Sequence, residues 1–213
     1  MREEWHGRAY WKNRPVEERL SLAQIPPLFE ESRLSNYDLS VGSSNAHGAV
    51  TEWLTSFKDN REHGTSLLLC GEVGSGRTHL AVSALRGAIT SYKQSGCYIT
   101  AAGYLRAMDD FRNNGGVLSD EYPDGNMLSY LRKVYDVVVI DDADMARTTE
   151  YASRELFDLL DTRVNNKLLT IVVSTLASAH KGNIVSAPFG ALLDSHFVTA
   201  SLSDHPQAGT YGE

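Results

Sequence analysis

A chain of 213 residues, 42% apolar and 22% charged, suits one well-buried soluble core and leaves little room for two full domains. No apolar run approaches the roughly 18 residues needed to cross a bilayer, and "MREEWHGRAYWKNRP" lacks the apolar stretch of a signal peptide, so neither membrane nor export is expected. A net charge of −7 argues against broad, avid binding of nucleic acid by the isolated chain, and two cysteines, Cys70 and Cys97, at the edges of apolar segments suggest buried thiols, no zinc site and a cytosolic setting.

Residues 1–24 carry charge of both signs and read as a short helical extension, "PVEERLSLAQ", stopped by Pro26-Pro27. The core is expected over 25–213. After a turn-rich stretch, "AVTEWLTSFKDN" (49–60) repeats Val50, Trp53, Leu54 and Phe57 at helical spacing. Strands are predicted at "TSLLLC" (65–70), "GCYITAAG" (96–103), "YDVVVIDDAD" (135–144), "KLLTIVVSTL" (167–176) and "HFVTASLS" (196–203). Helices fall between them at "RTHLAVSALRGAITSYKQ", "YLRAMDDFRNN" and "TEYASRELFDLLDTRVNN"; in the last, Leu156, Leu159, Leu160 and Val164 share a face. The segment 113–126 is a polar, glycine-rich excursion. Strands separated by helices of this length imply βαβ units, hence an α/β fold with a parallel sheet covered on both faces.

"GEVGSGRT" (71–78) follows a strand and opens a helix, the context that a phosphate-binding loop requires. Gly71, Gly74 and Gly76 permit backbone angles that turn successive amides inward, so that the amides from Gly71 through Val73, Ser75, Arg77 and His79, with the positive helix end, surround a phosphate. Thr78 is placed to give its hydroxyl to Mg²⁺. Arg77 stands where such loops carry lysine. It keeps the charge, but a guanidinium is broad and flat where an ammonium is compact. Retained but weakened triphosphate binding is expected, with a larger loss in hydrolysis; the alternative is an arginine turned outward to a surface carboxylate.

"VVVIDDAD" delivers Asp141 and Asp142 to the carboxyl end of a buried strand, where open parallel sheets gather ligands. Asp141 is expected to hold Mg²⁺, directly or through water. Asp142 is the catalytic candidate, orienting or deprotonating the attacking water, although aspartate reaches one methylene less far than glutamate. Asp144 reads as a cap or turn residue.

Four stretches together resemble the helicase-loader family of AAA+ ATPases, the DnaC type, and its transposition relative, the IstB type: "LAQIPPLFEESRLSNYD", "LLLCGEVGSGRTHLAVSAL", "YDVVVIDDADMARTTEYASRELFDLLDTRVNN" with Thr149, Glu150 and Arg163, and "LLTIVVSTL". The resemblance covers about residues 22–203. It implies an AAA+ core of the P-loop NTPase kind with a five-stranded parallel sheet and a lid domain absent or minimal. It also implies ATP and Mg²⁺ as ligands and side-by-side self-assembly in which one subunit's arginine completes its neighbour's site. Members of the family place a ring helicase on DNA or license a transposase.

The catalytic motifs depart from that pattern. "VSTLAS" supplies Ser174 and Thr175 followed by Leu176, without the family's asparagine, and "LLDSHFV" puts His196 where the trans-acting arginine stands. A neutral imidazole offers no guanidinium fork. The tail "SLSDHPQAGTYGE" contains no arginine. Few residues precede the core, so partner contact would reduce to "EEWHGRAYWKNRPVEERL", where Trp5, Tyr10 and Trp11 either dock a partner, stack on nucleic acid or fold back on the core. The expectation is a DnaC-like protein acting in replication with a replicative helicase or another DNA-processing protein, in which ATP serves mainly as an assembly or conformational ligand, with weak contact at most to single-stranded DNA. Two rivals stand beside it. One is a competent IstB-like ATPase assisting transposition, completed by Arg147, Arg154 or Arg163 across a subunit boundary; the other is a nucleotide-independent scaffold.

Overall fold

The computed structural model describes residues 11, 13–113, 127–144, 149–175 and 187–202. Five short strands, β1 (Ser66–Cys70), β2 (Gly96–Thr100), β3 (Val137–Asp141), β4 (Leu169–Ser174) and β5 (Phe197–Ser201), form one parallel sheet in the order β2-β3-β4-β1-β5. The helices are α1 (Val16–Ser21), α2 (Ser44–Thr55), α3 (Phe57–His63), α4 (Arg77–Tyr92), α5 (Ala101–Asn113), α6 (Met127–Ser129), α7 (Glu150–Asn165) and α8 (Ala187–His196). A π turn over Tyr130–Val134 continues α6.

Alternation along the strands sorts their side chains into two cores. Leu67, Leu69, Val137, Val139, Ile171 and Val173 pack with Val50 and Trp53 of α2 and Leu80 and Leu85 of α4. Leu68, Cys70, Val138, Ile140 and Val172 pack on the opposite face with Tyr104, Leu131, Leu156 and Leu160. Because both faces are buried, the strands read as unbroken apolar runs. The same alternation places Asp141 on the α4 face. Both cysteines are buried and neither is in a disulfide, and burial pushes the Cys97 thiol up to about 12.

Several predicted boundaries move for identifiable reasons. The strand expected over 96–103 stops at Thr100, whose hydroxyl accepts the Gly103 amide at 3.0 Å and turns the chain into α5. The helix expected over 49–60 starts earlier, where Ser43 Oγ accepts the Ala46 amide at 3.1 Å, and breaks at Ser56 before α3. Helix α8 is obscured in the sequence by Pro188 and Gly190, yet Phe189 and Leu193 are fully buried. Helix α7 follows the prediction: Thr149 caps it by accepting the Ala152 amide at 3.0 Å, and Leu156, Leu159 and Leu160 face the core with Val164 partly buried beside them.

Trp11 is 4% exposed, and its ring lies 5.1 Å from that of Tyr135. It therefore folds back on the core, which removes it from any exposed stacking platform. Further along, the Ala23 carbonyl accepts the Tyr98 amide at 2.7 Å, which ties the segment after α1 to the outer edge of β2. Trp5 and Tyr10, the excursion from 114 to 126, Arg147, Leu176 and the tail beyond Leu202 lie outside the described residues.

Arg163 departs most from expectation. It is fully buried: its Nε donates to Thr170 Oγ1 at 2.9 Å, its Nη1 to the carbonyls of Leu131 (2.6 Å) and Tyr135 (3.1 Å), and its Nη2 to that of Leu169 (2.6 Å). These bonds satisfy carbonyls of the π turn and of the residue after it, and stitch them to β4. Arg163 is thus a structural pin and is not available to a neighbouring subunit. Burial lowers its pKa to about 9, against the pull of Asp136, so it stays charged at neutral pH.

Candidate nucleotide site

Strand β1 ends at Cys70 and α4 begins at Arg77, so Gly71–Gly76 form the connecting loop. Gly74 (φ 84°) and Gly76 (φ 92°) take left-handed angles that side chains resist. A Cβ on Gly76 would also lie 2.8 Å from the Tyr37 ring. Tyr37 props the loop from below. Its hydroxyl donates to the Ser75 carbonyl (3.3 Å) and accepts the Ser43 amide (3.1 Å), while its ring stacks on His47 at 5.7 Å and tilts against His79 at 5.4 Å. A cavity of about 390 Å³ opens here, lined by Asn36, Tyr37, Val41, Ser75, Gly76 and His79 among others. Tyr37 is a site residue that motif reading passes over, because the motif begins 34 residues later; the signal was the aromatic in "LSNYD", quoted only as part of the resemblance.

Within the loop the predicted residues divide into three kinds. Val73 stands 84% exposed at the tip. His79 does not aim its ring at the loop, since its Nε2 pairs with the Arg33 carbonyl at 3.0 Å; only its amide, in the first turn of α4, faces that end of the helix. Ser75 and Arg77 are buried, 4% and 8% exposed, and Ser75 Oγ and Arg77 Nη1 have no hydrogen-bond partner. The outward-turned arginine is thereby corrected: Arg77 lies inside, and among the described residues it forms no ion pair. A buried guanidinium nitrogen and a buried hydroxyl left unbonded at a helix N-terminus are costly unless an anion meets them.

The two predicted metal ligands meet. Thr78 Oγ1 donates to Asp141 Oδ2 at 2.9 Å. Tyr98 of β2 donates to the same oxygen at 2.7 Å, and the Asp142 amide to Asp141 Oδ1 at 2.8 Å. Asp142 itself adopts φ 53°, a left-handed angle that aspartate tolerates better than most residues. Its carboxyl is raised above the ordinary range by burial and by the charges of Asp141 and Asp144, with Arg77 pulling it back. Arg77 and Asp142 thus feel each other electrostatically across the site.

Asp144 lies in the turn after β3, as the turn reading expects, but its side chain bonds a remote partner. Its carboxylate accepts the Thr175 amide (3.0 Å) and the Thr175 hydroxyl (2.7 Å), bracing the end of β4 against the turn after β3. Burial would raise its pKa, but the hydrogen bonds from Thr175, from its own amide and from Ser174 together outweigh that and hold it low. The Thr175 hydroxyl is therefore committed to Asp144. His196 closes α8 on the surface, and Arg154 is exposed on α7.

The donor set fits a nucleotide triphosphate with Mg²⁺. The unbonded Arg77 Nη1 and Ser75 Oγ suit phosphate oxygens. One carboxylate and one hydroxyl suit a magnesium ion that takes most of its other ligands from phosphate and water.

The sequence matches the family of IstB-like ATP binding proteins over residues 3–195. The chain belongs to that family. This IstB-like protein is 29% identical over 145 residues to the replicative helicase loader DnaC of Escherichia coli K12, an alignment that takes in 67% of this chain and 55% of DnaC. The IstB-like chain thus spans little more than half of that relative. Among solved structures it resembles the DnaC helicase loader (TM-score 0.71, 18% identity, 84% of this chain and 100% of that one). It also resembles the replication initiator DnaA bound to AMPPCP and single-stranded DNA (TM-score 0.66, 20% identity, 84% and 51%) and DnaI (TM-score 0.62, 17% identity, 87% and 97%). The fold is that of the AAA+ P-loop domains, and nucleotide binding goes with the family. None of the described helices is long and apolar enough to cross a membrane.

Proposed function

We propose that this IstB-like protein is a DnaC-like helicase loader acting in DNA replication, which binds ATP with Mg²⁺ and uses it chiefly as an assembly or conformational ligand, with weak or no hydrolysis. The observation that carries this reading is the buried Arg77 with its unbonded Nη1, beside Thr78 bonded to Asp141. The amides opening α4, Ser75 Oγ and Arg77 hold the phosphates, Thr78 and Asp141 hold the metal, and the cavity beside Tyr37 takes the nucleoside. When bound, Mg²⁺ offsets phosphate charge and orients the terminal phosphate.

Slow turnover follows from the groups around the water that must attack. Asp142 is one methylene shorter than glutamate and held at a left-handed backbone angle, so its reach to that water is less than a glutamate's. Thr175 is tied to Asp144, and Arg163 is locked in the core, so neither completes the site. A trans-acting arginine supplies roughly 10³–10⁵ in rate where present; of the candidates among the described residues, Arg154 is exposed on α7 and Arg163 is not.

Steady-state phosphate release, with and without single-stranded DNA, tests the hydrolysis half. Ready turnover abolished by Asp142→Asn would favour the competent transposition-type ATPase. Co-purification with a replicative helicase in ATP, lost without it, is the result expected of a loader. Capture that ignores nucleotide altogether would favour the scaffold.

A further inference from the structure

We propose that Tyr98, a residue outside the phosphate loop and the carboxylate strand, is a positioning residue that sets the Asp141 carboxylate for the metal. The inference rests on the nucleotide reading above and deepens it. Tyr98 and Asp141 are not paired across the strands: Tyr98 lies opposite Val139, and Thr100 opposite Asp141. Two residues along a parallel strand span about 6.6 Å, close to the reach of a tyrosine side chain from its Cα. Tyr98 can therefore lie along the α4 face and touch the carboxylate one pair further on, which a shorter side chain there would not do.

Two observations make this more than a phenol finding a convenient acceptor. First, Tyr98 donates at 2.7 Å to Oδ2, the oxygen that Thr78 also reaches at 2.9 Å. Asp142's amide occupies Oδ1 at 2.8 Å. An ionised carboxylate has about four acceptor sites, so these donors fix its plane and leave it little freedom. Second, Tyr98 is held at its other end as well, where its amide donates to the Ala23 carbonyl at 2.7 Å. With the ring 8% exposed among Val137, Val139 and their neighbours, the hydroxyl has one place to go.

When a cation arrives, the Thr78 oxygen offers it a lone pair while its own proton can stay directed at Asp141. Tyr98 reaches Asp141 from β2, whereas Thr78 reaches it from the helix that the phosphate loop opens. The contribution of Tyr98 is orientation, as with the outer hydrogen-bond partners of other metal ligands, whose removal commonly costs about tenfold or more in metal affinity.

The test is calorimetric titration of ATP into wild type and Tyr98→Phe, once in EDTA and again across a series of Mg²⁺ concentrations, with thermal melting as a check on the fold. The expected result is equal ATP affinity in EDTA, a melting curve close to wild type, and a Mg²⁺ midpoint about tenfold higher in the variant. An unchanged Mg²⁺ midpoint overturns the proposal. Equal loss of affinity with and without metal also overturns it, because a hydroxyl that only supports packing acts on both. If wild type fails to bind ATP even with Mg²⁺, the nucleotide reading itself falls, and this inference with it. Should Tyr98→Phe melt early, it is titrated at a temperature at which it is fully folded, beside Thr78→Val and the double variant: additive Mg²⁺ shifts contradict a shared carboxylate, and non-additive shifts support it.

Discussion

Three arginines are buried among the described residues, Arg19, Arg77 and Arg163, and the last two are buried in opposite ways. Arg163, near the start of β4, spends its guanidinium on Thr170 Oγ1 and the carbonyls of Leu131, Tyr135 and Leu169. Arg77, at the carboxyl ends of the strands, keeps Nη1 without a partner and feels Asp142 only at a distance. A cation fully bonded by main chain holds a fold together. A cation buried with a nitrogen left over is held ready for a ligand, because its desolvation is not balanced until an anion arrives.

The largest expected effect tests the first half of that contrast. Arg163→Met strands three carbonyls and a hydroxyl in the core, and urea denaturation should show a loss of about 3 kcal/mol or more. A change within about 0.5 kcal/mol would mean that the pin is dispensable. Next comes its mirror image. Arg77→Met should leave stability unchanged or slightly higher while ATP affinity falls roughly tenfold or more, since a charge-assisted bond to phosphate contributes about 1.5–3 kcal/mol. Stability lost in step with affinity would erase the distinction between the two residues.

Gly76→Ala sharpens the comparison at the loop. The left-handed angle and the 2.8 Å approach of Tyr37 predict about 1–2 kcal/mol of destabilisation and weaker nucleotide binding together. Tyr37→Leu in the same chain should relieve the contact but not the backbone strain, which denaturation can separate.

The smallest effect concerns Asp142. A carboxyl whose folded pKa is raised favours the folded state only while protonated, so its ionisation costs stability as pH rises through the carboxylate range. Asp142→Asn should therefore raise the melting temperature slightly at neutral pH, and the gain should fade as pH falls through that range. Asp142 is exposed, which keeps the effect small. Any residual phosphate release should vanish in the same variant.

Much of the fold was legible. Five apolar runs separated by amphipathic stretches gave the strands, and "GEVGSGRT" with "VVVIDD" located Thr78 and Asp141, which the structure brings to 2.9 Å. What escaped depends on contacts remote in sequence. Tyr37 and Tyr98 look like ordinary aromatic core residues; only the fold brings their hydroxyls to the loop and to Asp141. Arg163 reads as a surface arginine near the end of an amphipathic helix, because periodicity does not reveal that a π turn sits against that position. Helix α8 was hidden by Pro188 and Gly190 for the opposite reason: local propensity argued against a helix that burial of Phe189 and Leu193 sustains. Asp144 reads as a cap or turn residue; it does sit in a turn, but the sequence does not show that its carboxylate reaches Thr175 at the end of the neighbouring strand.

The most direct test of the central claim is calorimetric titration of ATP with Mg²⁺ into the wild-type protein and Arg77→Met. Saturable binding by wild type, weakened about tenfold or more by the substitution with no loss of melting temperature, is the predicted result. No binding at millimolar ATP, or equal binding by both proteins, would contradict it.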